Sequence, residues 1–295
     1  MSGIFIRFVR RLIISIQEIL PKRVLSKLVQ KIAESETRIV KNTLIKLAIA
    51  YFKININEAI SPNISSYKTF NHFFTRQLRD GVRPIDERQN SVCSPADGTI
   101  TQFGAINSTE IMQAKNINYS LKKLTQDTDM TNRYINGNFF TIYLSPKDYH
   151  RVHIPFKAKI VSHHFVPGEL YSVNKNSVDH ISEIYNKNER LICEFVSKDL
   201  GYFSVIFIGA FLVSGIETVW KCHHDYEKTK GRRIDLSETQ MEFEKGEELG
   251  TFKYGSTIIL LFQNNKIAPL EKFHSSGNNI QVGKRITTTI DSTSV

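Results

Sequence analysis

From about residue 88 onward, Gly, Asn, Asp and Pro cut the chain into short apolar runs, and this rhythm restricts what it can fold into. The runs are Val92 to Gln102, Asn138 to Leu144, Lys159 to Val166, Leu191 to Val196, Phe203 to Ile208, Glu217 to Trp220 and Ser256 to Phe262. They are rich in β-branched and aromatic residues and bounded by turn formers, which predicts strands. The part before them has a different period. Phe5, Phe8, Val9, Leu12, Ile13, Ile16, Ile19 and Leu20 recur at helical spacing over residues 4–20, with Arg7, Arg10 and Arg11 between them. A second basic helix is predicted over Val24 to Ala33, with Lys22, Arg23, Lys27 and Lys31 on its polar side, and a third over Glu36 to Phe52. Thr69 to Arg79 reads as a short aromatic helix stopped by Asp80-Gly81. The expected class is α+β: a helical N-terminal region over 1–87, then a β-rich domain of antiparallel sheets over 88–295.

Charge and length narrow the setting. With 295 residues the chain can bury a sizeable core, and a formal charge of +10 points to an anionic partner. Nucleic acid and an anionic lipid surface are the usual candidates. No recognition motif or aromatic-basic repeat supports nucleic acid. A basic amphipathic helix with aromatic residues on its apolar face can lie in a membrane interface, or pack on its own domain. No run reaches the roughly 20 apolar residues that span a bilayer, and the N-terminal arginines interleave with apolar residues, unlike a cleaved signal peptide. Cys93, Cys193 and Cys222 are widely spaced and form no CxxC pair, which suggests a reducing compartment and argues against a structural zinc site. Lys221 to Arg233, dense in basic residues, is expected to be an exposed loop.

Four places carry residues suited to chemistry. Ser94-Pro95-Ala96-Asp97-Gly98-Thr99 is a strong turn signal containing a carboxylate. Tyr143 to Pro155 holds His150 and His153, which would share a face of a helical turn and oppose each other on a strand. Phe165 to Asn174 reads as a loop after a strand. Gly250 to Thr257 delivers Gly255-Ser256-Thr257 to the mouth of an apolar strand. An Asp that orients a His, which in turn deprotonates a Ser, is a recurring way to make a hydroxyl nucleophilic. The GxSxG nucleophile elbow is absent. A metal hydrolase on His150 and His153 lacks an obvious third ligand and HExxH. A non-catalytic β-rich carrier or membrane-docking module also fits Gly-punctuated hairpins. On residues alone these readings stay open.

At these positions the chain resembles the bacterial, pyruvoyl-dependent phosphatidylserine decarboxylase proenzymes. The resemblance rests on Thr69 to Asp86, Pro95-Ala96-Asp97-Gly98, Gln113-Ala114-Lys115, Tyr119-Ser120-Leu121, Tyr143 to Pro155, Val166-Pro167-Gly168, Ser172-Val173-Asn174, Asn188-Glu189-Arg190, Gly209-Ala210 and Gly250 to Phe262, in this order. Val213-Ser214-Gly215-Ile216 departs from the family, which usually has Gly before that Ser.

The resemblance implies self-cleavage between Gly255 and Ser256 into a β chain, 1–255, and an α chain, 256–295, that stay together and allow a higher oligomer. It implies a triad of Asp97, His153 and Ser256, with Asp97 orienting His153. Ser256 becomes a pyruvoyl group that forms a Schiff base with the serine headgroup. His150 is implied as the proton donor in decarboxylation, and Ser172 and Val173 as lining the headgroup pocket. No metal is implied. The product would be phosphatidylethanolamine plus CO2, made in phospholipid biosynthesis by an enzyme held peripherally on the cytoplasmic face of the inner membrane. A decarboxylase acting on an α-amino acid needs such an electron sink, since no ordinary side chain delocalises the carbanion left at Cα.

Overall fold

A computed structural model describes residues 21–211, 215–253, 256–268 and 276–290. The helix expected over residues 4–20 lies outside the described residues. Three helices open the remainder: α1 (Lys22–Ala33), α2 (Arg38–Phe52) and α3 (Phe70–Phe74). α1 turns Lys22, Ser26 and Ala33 inward, while Val24, Leu28 and Ile32, four residues apart along one face, stay exposed. On α2, Ile45 and Ala48 are buried, whereas Ile39, Leu47 and Tyr51 are exposed. Phe70, Phe73 and Phe74 of α3 close the cluster beneath α2, together with Ile54 and Tyr67.

The aromatic helix is shorter than its sequence predicts. Thr69 caps its start, its Oγ1 accepting from the His72 N–H at 3.0 Å. Residues 77–79 are instead drawn out against 58–60: Ile60 donates to Gln77 O at 3.0 Å and Arg79 to Glu58 O at 2.9 Å.

The rest of the chain is built on antiparallel strands. In order they are β1 (Ser91–Cys93), β2 (Gly98–Ala105), β3 (Glu110–Ala114), β4 (Ile117–Ser120), β5 (Asn138–Leu144), β6 (Arg151–His153), β7 (Ala158–Val166) and β8 (Arg190–Ser197). Then come β9 (Gly201–Ile208), β10 (Ile216–Thr218), β11 (Arg233–Asp235), β12 (Glu242–Phe243), β13 (Glu248–Phe252), β14 (Ser256–Phe262), β15 (Asn279–Ile280) and β16 (Arg285–Thr288). The large sheet runs β11-β7-β8-β9-β14-β5-β2-β15, with β12 also pairing with β7. A smaller sheet runs β10-β13-β6, and β1 pairs with β16 and β3 with β4. The strand expected over Val92 to Gln102 is broken at Ser94–Asp97, where the backbone turns. Lys221 to Arg233 is not simply a loop: His223–Lys228 forms a short helix that buries Tyr226, whose hydroxyl lies 2.6 Å from Thr218 Oγ1.

β14 is the centre of the large sheet, paired along its length with β5 and β9. Both its faces are covered, which is why its sequence is an unbroken apolar run instead of an alternating one. Ile258, Leu260 and Phe262 point into one core cluster, and Ile259 and Leu261 into another. The first cluster is shared with Val152, Ile216, Leu249 and Phe252, so the small sheet packs over that face. Each such side chain contributes about 2 kcal/mol on burial, and the β14 segment is fixed accordingly.

Candidate active site

Ser256 is the first residue of β14, opposite Leu144 of β5. On the other side Thr257 pairs with Ile208 of β9. The Ser256 side chain follows the parity of Ile258 and Leu260 and so lies on the face covered by the small sheet. It is fully buried, and its Oγ has no hydrogen-bond partner among the described residues. A buried hydroxyl left unsatisfied costs about 1–3 kcal/mol, and such groups call for an explanation beyond packing.

The chain passes between the two sheets at this point. Phe252 N–H donates to the carbonyl of His150 at 3.0 Å, and Ser256 stands opposite Leu144. Residues 145–149 link these two pairings, from Leu144 to His150. Gly255 itself lies outside the described residues. Within 145–149 a tight turn forms, because the Asp148 carboxylate accepts from the Ser145 N–H at 2.8 Å and from its hydroxyl at 2.7 Å. That turn sets down Tyr149 and His150 at the entrance to β6.

His150 is fully buried and stacks on Phe74 at 4.1 Å between ring centres. Neither ring nitrogen has a hydrogen-bond partner among the described residues, and the Ser145 and Pro146 backbone faces the ring outside bonding geometry. Burial pushes its pKa down to about 3, with the nearby Arg76 cation adding to the shift. Burial thus favours the neutral imidazole at pH 7. His153, on β6, is held at both nitrogens. Its Nδ1 lies 2.8 Å from the Gly246 carbonyl and its Nε2 3.2 Å from the Tyr149 hydroxyl. A carbonyl only accepts, so Nδ1 carries the proton and Nε2 is the basic nitrogen. Burial also lowers this pKa, which keeps the ring neutral.

Asp97 closes the turn before β2 and is buried. Its carboxylate accepts from Arg83 Nε at 3.0 and 2.9 Å, from Arg83 Nη2 at 2.6 Å and from the Val282 N–H at 2.9 Å. Arg83 also donates to Glu58 at 2.9 Å. The residue after Asp97 must be small: a Cβ on Gly98 would fall 2.3 Å from the Tyr143 carbonyl oxygen. Asp97 is adjacent to His153 through the backbone, since His153 N–H donates to Pro95 O at 2.8 Å. The side chains do not meet in a hydrogen bond. The expected orientation of His153 by Asp97 is not made by a direct hydrogen bond: the Gly246 carbonyl faces Nδ1, and Arg83 takes the carboxylate.

A cavity of about 220 Å³ opens beside Asp97, with Arg76, Arg83, Asp148 and Tyr149 in its wall. A second, of about 320 Å³, lies between α1 and the segment 217–227, with Glu189 and Lys253 in its wall. Of the two residues expected in a headgroup pocket, Val173 is instead buried in the core cluster with Ile192 and Ile208, and Ser172 is half-buried beside it. Among the described residues, no three His, Cys, Asp or Glu side chains are grouped to hold a metal ion.

Sequence reasoning missed Arg83, Tyr149, Gly246 and Glu189 as site residues. Arg83, Tyr149 and Glu189 do fall in motifs that carry the resemblance, but nothing in those motifs says what each side chain faces.

Compared with known proteins, this α+β chain falls into a class of enzymes that cleave carbon–carbon bonds. A family model described as Phosphatidylserine decarboxylase matches residues 70–288, and a second, described as PSD, matches residues 12–53. The chain belongs to the phosphatidylserine decarboxylase family. The phosphatidylserine decarboxylase proenzyme of Francisella philomiragia subsp. philomiragia is 43% identical over 277 residues, 93% of this chain and 96% of that one. The proenzyme of that name from Francisella tularensis subsp. novicida is 44% identical over 274 residues, 92% and 95% of the two chains.

Proposed function

We propose that this chain converts phosphatidylserine to phosphatidylethanolamine and CO2 after cutting itself before Ser256. The observation that carries the self-cleavage is the buried, unpartnered Ser256 Oγ at the mouth of the central strand, with two neutral imidazoles nearby in the fold. Ser256 Oγ would attack the Gly255 carbonyl carbon, and the peptide nitrogen would leave, giving an ester. Elimination across Cα–Cβ of residue 256 would release the Gly255 carboxylate, and hydrolysis with loss of ammonia would leave a pyruvoyl group. His153 Nε2 is the base assigned to the serine proton. Its lowered pKa keeps it able to accept at neutral pH.

The residues present fit such a group. Ser256, its precursor, is fully buried, and burial keeps the His150 and His153 imidazoles uncharged. When formed, the group supplies an electron sink for the carbanion left by CO2. His150, stacked on Phe74, is the group we assign to hold and return a proton once charge develops beside it. Asp97, fixed by Arg83, adds to the negative potential that Glu248 exerts on His153 and Tyr149. Ser172 is retained as a polar group near the headgroup path.

We place the division between a membrane-associating region, 1–87, and the catalytic domain, 88–295, where strands begin. No helix of the described residues is long and apolar enough to cross a membrane. Support for interfacial docking comes from Val24, Leu28 and Ile32 on α1 and Ile39, Leu47 and Tyr51 on α2, all exposed. Lys27 and Lys31 beside them would meet anionic headgroups. This suits peripheral attachment at the cytoplasmic face of the inner membrane, with fragments 1–255 and 256–295 remaining one particle.

Intact mass under denaturing conditions tests the reading. The wild-type chain should give two fragments, the smaller lacking a free amino group. Ser256→Ala should stay whole and lose all decarboxylation. An uncut wild-type chain with full activity, or an active Ser256→Ala, refutes it.

A further inference from the structure

Across the large sheet, three residues at or just beyond the ends of β5, β9 and β8 line up with Ser256 of β14. Leu144 of β5 is opposite it. On the other side, Thr257 and Arg190 are both in register with Ile208. Gly209 and Glu189 are thus next in line, joined by Gly209 N–H donating to Glu189 O at 2.9 Å. Glu189 and Ser256 are therefore two strand spacings apart, about 10 Å at the backbone. They share the face that bears Leu191, Phe207 and Ile258. Only Gly209 stands between them. A Cβ there would fall 2.8 Å from Glu189 Cγ and 3.2 Å from its Oε1, so the glutamate crosses the space that any other residue would fill.

The neighbours of Glu189 have structural duties. Asn188 clamps the backbone, accepting from Tyr171 N–H at 2.9 Å and donating to the carbonyls of Tyr171 and Gly209, both at 2.8 Å. Arg190 is buried and donates to the carbonyls of Lys123, Leu124, Asn186 and Asn188. Glu189 has no such duty. It is 8% exposed, and its carboxyl has no hydrogen bond or ion pair among the described residues. Burial raises its pKa to about 7, against the pull of Arg23 and with the push of Glu227. A buried carboxyl without a partner is costly, and an arriving cation relieves it.

Glu189 lies in the wall of the 320 Å³ cavity, which α1 also lines with Arg23 and Lys27. Arg23 is anchored on the Gly168 carbonyl at 2.7 Å. On the floor, Lys253 is engaged by Glu217 at 2.9 Å. The cavity therefore offers cations from α1 and, in Glu189, a buried carboxyl without a partner among the described residues, whereas Glu227, also in its wall, is exposed. We propose that Glu189 is a specificity-determining residue that receives the headgroup ammonium, holding it over Gly209 beside position 256, while Arg23 and Lys27 take the phosphate. This rests on position 256 being the reactive one.

Binding to the uncut Ser256→Ala chain tests the assignment without requiring the reactive group. Short-chain phosphatidylserine, phosphatidylethanolamine and phosphatidylglycerol are titrated calorimetrically into that chain and into the same chain carrying Glu189→Gln. The two amine lipids should bind about tenfold more weakly to the double variant, the loss of one charge-assisted hydrogen bond, and phosphatidylglycerol should not change. Equal binding of the amine lipids, or an equal loss for all three, overturns the proposal. Should Glu189→Gln fail to fold, Gly209→Ala, which displaces the carboxyl, must show the same amine-selective loss; without it the proposal falls. Decarboxylation by Ser256→Ala alone would instead refute the reactive position and leave this binding comparison readable.

Discussion

Replacing Arg83 with methionine is expected to cost the fold about 3 kcal/mol. Arg83 gives Asp97 three hydrogen-bond contacts and Glu58 a fourth. Its side chain is 12% exposed and that of Asp97 7%, so solvent does little to screen the pair. Removing one member of such a pair leaves a buried charge with a single backbone donor, the Val282 N–H. Losses of this kind run to about 3–5 kcal/mol, and the lower end applies here because a neutral aliphatic chain refills part of the space. With a urea dependence of about 3 kcal/mol per molar, the midpoint should fall by about 1 M. The measurement belongs in the uncut Ser256→Ala background, where self-cleavage cannot complicate unfolding. Asp97→Asn and the Arg83→Met/Asp97→Asn double variant complete a cycle. The two losses should overlap by about 2 kcal/mol, since neither partner has value without the other. Additivity within about 0.5 kcal/mol would show that Arg83 and Asp97 act independently and would refute this account of the site.

Two further outcomes follow from the geometry. His150 is held neutral with a pKa near 3, below the roughly 6.5 of an unfolded histidine. The unfolded chain therefore binds the extra proton between these values, and stability should fall on acidification from about pH 6.5, by up to about 1.4 kcal/mol per pH unit for this group. His150→Phe should flatten that slope by one proton in urea titrations at several pH values, and an unchanged slope would show that His150 is not the group. Leu28→Glu on α1 changes an exposed apolar residue and should leave thermal unfolding within about 0.5 kcal/mol of wild type. It should weaken sedimentation with anionic vesicles about tenfold; undiminished binding would remove this face from the lipid interface.

The parts of the fold that were legible in sequence are those where one force acts alone. Ser256–Phe262 and Asn138–Leu144 are strands at the residues expected, since both faces of each are buried and the composition says so. The small sheet was legible only where the run expected over Glu217 to Trp220 overlaps β10 (Ile216–Thr218). β6 has three residues, β10 three, and β13 includes Glu248 and Gly250; none has a recognisable period, and each is a strand because of its neighbours. Gly250 is required there by close approach, a Cβ falling 2.2 Å from the Glu217 carbonyl oxygen. The site shows the same division. Asp97, His150, His153 and Ser256 stood out as residue types in turn-rich contexts. The partners that decide their behaviour did not. Arg83 lies 14 residues before Asp97, Gly246 lies 93 after His153, and Phe74 reaches His150 from the helical region. Only the folded chain relates these distances.

β14 sits between β5 and β9, and a break before Ser256 would sever the chain without loosening any rung of either ladder. The shorter fragment would also keep β15 on β2 and β16 on β1. Its release would require dismantling the sheet from the middle, so separation of the two fragments and unfolding would be one event. The cut would change the return journey instead. An intact chain brings β14 back to its place as part of itself, at a high effective concentration. Once severed, the fragment must be recaptured from solution, and recovery depends on how much protein is present. Placing the break at the heart of the sheet would thus make maturation a step after which the molecule is held together by the persistence of its fold.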